Sequence, residues 1–154
     1  MDLELIESGD GGDLIKNAND LSVIYGFENE VYIALFGGNI EADTPQKRDA
    51  SEQDMSFWGN KLLNPNDSSV QFNSKTERAL NTIALNSSGR ALIEAAVRND
   101  ISYLSYLGTV TASVSVTGVD RIEINVKIQQ PANASQDFTY IWDATKQELI
   151  QRAA

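Results

Sequence analysis

The chain has 154 residues, 42% hydrophobic and 22% charged, with a formal net charge of −10 and neither cysteine nor histidine. A chain of this length suits one domain, residues 1–154, burying roughly 70% of its extended surface. The missing side chains exclude disulfides, thiolate and histidine zinc sites, Ser-His-Asp and Cys-His nucleophiles and thiol redox chemistry, and no cofactor is expected.

The acid excess is local. Residues 1–54 hold 13 acidic against 3 basic side chains, whereas the remaining 100 residues hold 9 of each. Nucleic-acid binding rests on Lys and Arg releasing counterions, so no nucleic-acid partner is expected. An acidic surface instead meets a basic protein, binds a cation weakly or keeps the chain soluble. No apolar run approaches the roughly 20 residues of a membrane helix, so membrane insertion is not expected. The acidic start "MDLELIESGDGGDL" lacks the basic n-region of an export signal, which makes a bacterial-type cytoplasm the default location.

In chain order, "LELIE" and "DLSVIYG" read as short strands separated by the turn-forming "SGDGGD". "FENEVYIALFGG" is either a buried strand or a short helix from Phe27 to Phe36. Glu28 and Glu30, in what would be its first turn, favour the helix, with Phe27, Val31 and Leu35 inward and Gly37 as its stop. Residues 37–73 then form a long, partly irregular loop. Loops of that length in a compact domain are functional or disordered, which makes this one the place to look for a partner. Within it lies "FWGN", so Phe57, Trp58, Gly59 and Asn60 are the candidate interaction residues.

"SKTERALNTIALN" opens with a capping box, Ser74 and Glu77, followed by the inward residues Leu80, Ile83 and Ala84. A longer helix is expected from Ser88 to Leu107, since Ile93, Val97, Ile101, Leu104 and Tyr103 recur at helical spacing and Gly108 offers a left-handed stop. Three segments then alternate with period two: "TVTASVSVT", "RIEINVKIQ" and "DFTYIW". Short polar connections make them an antiparallel meander. The expected fold is therefore α+β: a C-terminal meander covered by two helices, with N-terminal strands and one short helix.

Candidate chemistry is sparse. "SGDGGD" and "FGGN" are glycine-rich but match neither a phosphate loop nor a dinucleotide fingerprint. Asp10 and Asp13 lack the alternating ligands of a calcium loop, so no metal site is expected. Two carboxylates flanking a cleft would suffice for a glycoside hydrolase, with Glu77, Glu94, Asp100 and Asp143 as candidates. Glu77 is already explained by capping, and Glu94 and Asp100, six residues apart on one helix, project from different faces. No catalytic residue is assigned, and the chain is expected not to be an enzyme.

Five stretches in order, "YGFENEVYIALFGGNIEAD", "FWGN", "SSGRALIEAAVRNDISYLSYLG", "DRIEINVKI" and "FTYIWDA", resemble the small baseplate wedge proteins of Mu-type contractile-tailed phages and prophages, part of a wedge and lysozyme-like superfamily. The resemblance runs from about Leu21 to Ala144. Family members typically read Ser-Leu-Phe-Thr-Asp-Arg-Arg-Ala where this chain has "ALFGGNIEAD", and Trp-Trp-Gly-Asp where it has "FWGN". The arginine pair is thus replaced by the acidic and neutral residues Ile40 to Asp43, and the Glu-Pro-Arg motif of the wider superfamily is missing, so neither contact carries over. The resemblance implies a structural tail component. It would be made in the host bacterial cytoplasm, carried into the virion tail baseplate, and bound to other tail or baseplate proteins or to copies of itself. In that setting Trp58 anchors an interface; alternatively, Phe57 and Trp58 fold back as a plug that pins the loop. The rival functions are a cell-wall glycan hydrolase using paired carboxylates and an acidic inhibitor protein.

Overall fold

The computed structural model describes residues 2–7, 12–37, 60, 62, 65–67, 71–131, 133–146 and 148–153. Its N-terminal arm contains β1 (Asp2–Leu3), β2 (Leu5–Glu7), β3 (Gly12–Leu14), β4 (Lys16–Asn17), β5 (Asp20–Leu21) and β6 (Val23–Ile24). These are three extended stretches, each of which changes partner halfway: β2 pairs with β3, β4 with β5, and β6 returns to β1. At the changeover the backbone closes a ring. Glu4 N–H donates to the Ser22 carbonyl at 3.0 Å, Ser22 N–H to the Ile15 carbonyl at 2.7 Å, and Ile15 N–H to the Glu4 carbonyl at 3.2 Å. The Ser22 hydroxyl adds a 2.5 Å bond to the Glu4 carboxylate. The expected strands 3–7 and 20–26 are present, but a third stretch, residues 12–17, stands between them.

The next segment is helical. α1 (Glu28–Phe36) carries Glu28 and Glu30 in its first turn and buries Val31 and Leu35 completely. Asn29 joins it to the arm, its side-chain amide donating to the Asp2 carboxylate at 2.8 Å and the Leu3 carbonyl at 2.5 Å.

α2 (Lys75–Thr82) is capped by Ser74, whose hydroxyl accepts the Glu77 N–H at 3.1 Å. α3 (Ser87–Asp100) is capped by Asn86, whose side chain accepts the Ser88 and Gly89 N–H groups at 3.1 and 2.9 Å. The uninterrupted helix expected to Leu107 is not observed: the α-helix ends at Asp100, and Ser102–Tyr106 winds as a 3-10 turn. The apolar spacing explains the change. Ile93, Val97 and Ile101 repeat every fourth residue, whereas Leu104 follows after three, which the tighter winding aligns with the same stripe. All four are at most 1% exposed. Tyr103, grouped with that stripe in the sequence, is 44% exposed.

The sheet has four antiparallel strands in the order β10 (Glu148–Ala153), β9 (Gln136–Asp143), β8 (Arg121–Gln129), β7 (Thr109–Val116). Register places Ile124 between Val114 and Tyr140, and Val126 between Ala112 and Phe138, so one side is apolar and buried. The helices cover that side. Phe36 of α1 lies 5.6 Å from the Tyr140 ring and stacks at 6.3 Å on Trp142. Each fully buried aliphatic side chain here contributes about 1.5–3 kcal/mol. The opposite side is polar, with Thr139 donating to Asn125 at 2.7 Å. β10 is a strand beyond the three expected; a register shift between Leu149 and Gln151 breaks the alternation that would have announced it.

Candidate functional site

Of the four candidate interaction residues, Phe57, Trp58 and Gly59 lie outside the described residues. Asn60 is 1% exposed and grips the backbone of Phe72 from both sides: its amide donates to the Phe72 carbonyl at 2.9 Å, and its carbonyl oxygen accepts the Phe72 N–H at 2.8 Å. A buried residue with both polar atoms engaged in this way fastens the chain. The Phe72 ring meets Tyr103 edge-on at 6.2 Å, and the Tyr103 hydroxyl donates to the Glu30 carbonyl at 3.2 Å. Residues 60, 72, 103 and 30 thus form one seam between the loop end, the 3-10 turn and α1. Partial burial of the phenol, reinforced by the charge environment of Tyr106 and Glu30, pushes Tyr103 up to about 12.

Beside this seam lies a recess of about 400 Å³ lined by residues including Gln71, Asn73, Asn99, Asp100 and Tyr103. Asp100 Oδ2 accepts the Thr76 N–H and Thr76 hydroxyl, both at 2.7 Å, and the Ser74 hydroxyl at 3.4 Å. Ser74 also donates to the Leu35 carbonyl. Asp100 therefore braces the N-terminus of α2 from the end of α3. Burial raises its carboxyl above the ordinary value, the hydrogen bonds from Thr76 offsetting part of the effect. Among the described residues of its lining, Asp100 is the one carboxylate.

Glu94 faces a different element. It accepts Arg90 at 2.7 Å and Arg98 at 2.5 Å, and the same guanidinium groups reach the β7 carbonyls of Val114 and Ala112 at 3.2 and 3.4 Å. Since no described strand pairs with β7 beyond β8, the Arg90–Glu94–Arg98 row lies along part of its free edge. A groove of about 350 Å³ runs alongside, between Arg98, Ile101, Ser105 and Val110.

Asp143 is 6% exposed and accepts the Thr145 and Lys146 N–H groups at 3.0 and 3.2 Å, with Arg121 at 3.5 Å. Burial works against its ionised form, but the two backbone donors and Arg121 outweigh that and hold the carboxyl below the usual range.

Glu94, Asp100 and Asp143 are thus engaged with three separate sets of partners. Among the described residues, no three acidic side chains converge as a metal would require, and no helix is long and apolar enough to cross a membrane. The sequence singles out Asn60 but not its hold on Phe72, and it does not single out the arginine row. The Arg-Glu-Arg spacing of four was readable as an ion-pair row, but its reach to β7 was not. Comparison with family models, curated proteins and solved structures gives no match for this chain.

Proposed function

We propose that this chain is a structural component of a bacteriophage or prophage contractile-tail baseplate, acting by protein–protein assembly with tail or baseplate proteins or further copies of itself. One observation carries the reading: Glu94, Asp100 and Asp143 each serve a separate contact inside the fold, whereas the N-terminal arm leaves large apolar side chains at the surface. The order of the family-like stretches also suits the fold. "VYIALF" falls on α1, "SSGRALIEAAVRND" on α3, and "RIEINVKI" and "FTYIWD" on adjacent strands of the sheet. The protein would be made in the host cytoplasm and end in the virion tail baseplate.

Mass spectrometry of purified particles from the parent element tests this directly. The chain is expected as a stoichiometric component alongside sheath and tube subunits. Particles that lack it overturn the proposal. A cell-wall zymogram provides the opposing check: clearing by the purified chain that is lost in Glu94→Gln or Asp100→Asn would establish the hydrolase instead.

A further inference from the structure

The recess between Asn73, Asn99 and Tyr103 is polar and flanked by aromatic rings. Gln71, Asn73, Asn99 and Ser102 supply amide and hydroxyl groups that both donate and accept hydrogen bonds. The Ser102 hydroxyl donates to the Asn99 carbonyl at 2.7 Å, which leaves its oxygen able to accept. Asp100, the one charged residue among the described lining, has its Oδ2 taken by Thr76 and Ser74. Tyr103 is 44% exposed yet held at two points, its hydroxyl on the Glu30 carbonyl at 3.2 Å and its ring edge-on to Phe72 at 6.2 Å. Tyr106, 71% exposed, follows three residues later in the 3-10 turn, where side chains at that spacing lie over one another. It stands near enough to contribute to the raised Tyr103 phenol. The two rings therefore extend one wall of the recess outward as an aromatic flank.

We propose that this recess binds a neutral glycan, one hexopyranose ring seated among the amides and its neighbour stacked on Tyr106. The volume of about 400 Å³ lies within the roughly 300–1,000 Å³ of small-ligand sites. A pyranose carries hydroxyls around its rim, each a donor and an acceptor, which amide and hydroxyl side chains match in both senses. Its faces carry C–H groups, which pack against the negative face of an aromatic ring. A tyrosine already held by Glu30 and Phe72 loses little freedom when the ligand arrives. Charge and hydrogen bonding exclude other ligands that stack on tyrosine. A nucleotide would bring its phosphate beside Asp100, with no basic side chain among the described lining residues to receive it. A proline-rich peptide has few N–H groups to give and would leave the amides unpaired. The site goes beyond the assembly reading and does not depend on it.

The test uses the full chain, ¹⁵N-labelled, titrated with cellotriose and with triacetylchitotriose. Trigalacturonic acid, trilysine, hexaproline and adenosine monophosphate serve as comparison probes. Saturable amide shifts concentrated in residues 71–76 and 99–106 are expected from at least one of the two neutral trisaccharides, in preference to every comparison probe. Tyr106→Ala is expected to weaken that binding about tenfold and Tyr106→Phe to leave it nearly unchanged, because the ring and not the hydroxyl makes the contact. Asn73→Ala is expected to weaken it about fivefold, as fits the loss of one hydrogen bond. Should Asn73→Ala fail to fold, the exposed Tyr106 still gives the readout. Absence of saturable binding, shifts outside the two segments, or preference for a comparison probe would each overturn the proposal. So would affinity unchanged in Tyr106→Ala, or an equal loss in Tyr106→Phe. Glycan binding by a chain missing from purified particles would sink the baseplate reading and leave the recess standing; the chain found in particles without glycan binding would sink only the recess.

Discussion

Asn60 shows how one amide can hold a chain segment in place. Replacing it with alanine removes both hydrogen bonds from the buried Asn60 side chain to the Phe72 backbone. A cost of about 2–4 kcal/mol is expected in urea unfolding. Asn60→Asp is expected to fall between the two, because a carboxylate accepts the Phe72 N–H but has nothing to donate to the carbonyl. Equal stability of all three proteins would show that the clamp carries no weight. Asp100, partly buried, and Asp143, buried, make opposed predictions for acid. Asp100 has a folded-state value above its ordinary 3.8, so its contribution grows as pH falls through the raised value towards 3.8. Asp143 has a folded-state value below 3.8, so its contribution is present above 3.8 and is lost as pH falls through the lowered value. Asp100→Asn should therefore flatten stability against pH above 3.8, and Asp143→Asn should flatten the acid limb below it. Urea midpoints measured across the acid range check both signs.

At the scale of elements, the open edge of β7 is the point of greatest consequence. An exposed strand edge presents unpaired carbonyl and N–H groups to any passing strand. Arg90 and Arg98 occupy the Val114 and Ala112 carbonyls while Glu94 holds both guanidinium groups in place. The side chains are 40% and 63% exposed, so the ion pairs themselves contribute at most about 1 kcal/mol. Removing both arginines, Arg90→Ala with Arg98→Ala, is accordingly expected to change thermal stability little but to produce concentration-dependent association in sedimentation velocity. A variant that stays monomeric across the accessible concentration range would refute a protective role for the row. The junction of the 3-10 turn with β7 depends on Gly108, whose φ is +155° and where an added Cβ would overlap the Gln129 carbonyl. Gly108→Ala is expected to cost about 2 kcal/mol or more, because backbone, not a flexible side chain, has to move. Unaltered unfolding of that variant would show that the strand ends can part freely.

Across the whole molecule, the two ends of the described fold solve different problems. The C-terminal sheet buries one continuous apolar side under three helices, and its period-two alternation was plain in "TVTASVSVT" and "RIEINVKIQ". The N-terminal arm ties its backbone into a ring, has no buried residue among those whose side chains are described, and receives hydrogen bonds from the Asn29 side chain of α1. That contrast places the buried apolar side chains at one end and exposed ones, Leu3, Leu14, Leu21 and Val23, at the other. Such short strands, two or three residues each, change partner before any alternation can accumulate, so the arm's third stretch could not be read in advance.

The sequence by itself determined what depends on near neighbours. The Ser74 cap, the acidic first turn of α1, the stripe through Ile93 and Val97 and the alternation of β7, β8 and β9 are all set within a few residues of chain. Tertiary structure alone decided the rest: Asn60 on Phe72, Asp100 on Thr76, the arginine row on β7 and the bulged β10. Each of these depends on a partner 12 or more residues away in the chain or on a broken register, and neither leaves a period in the sequence.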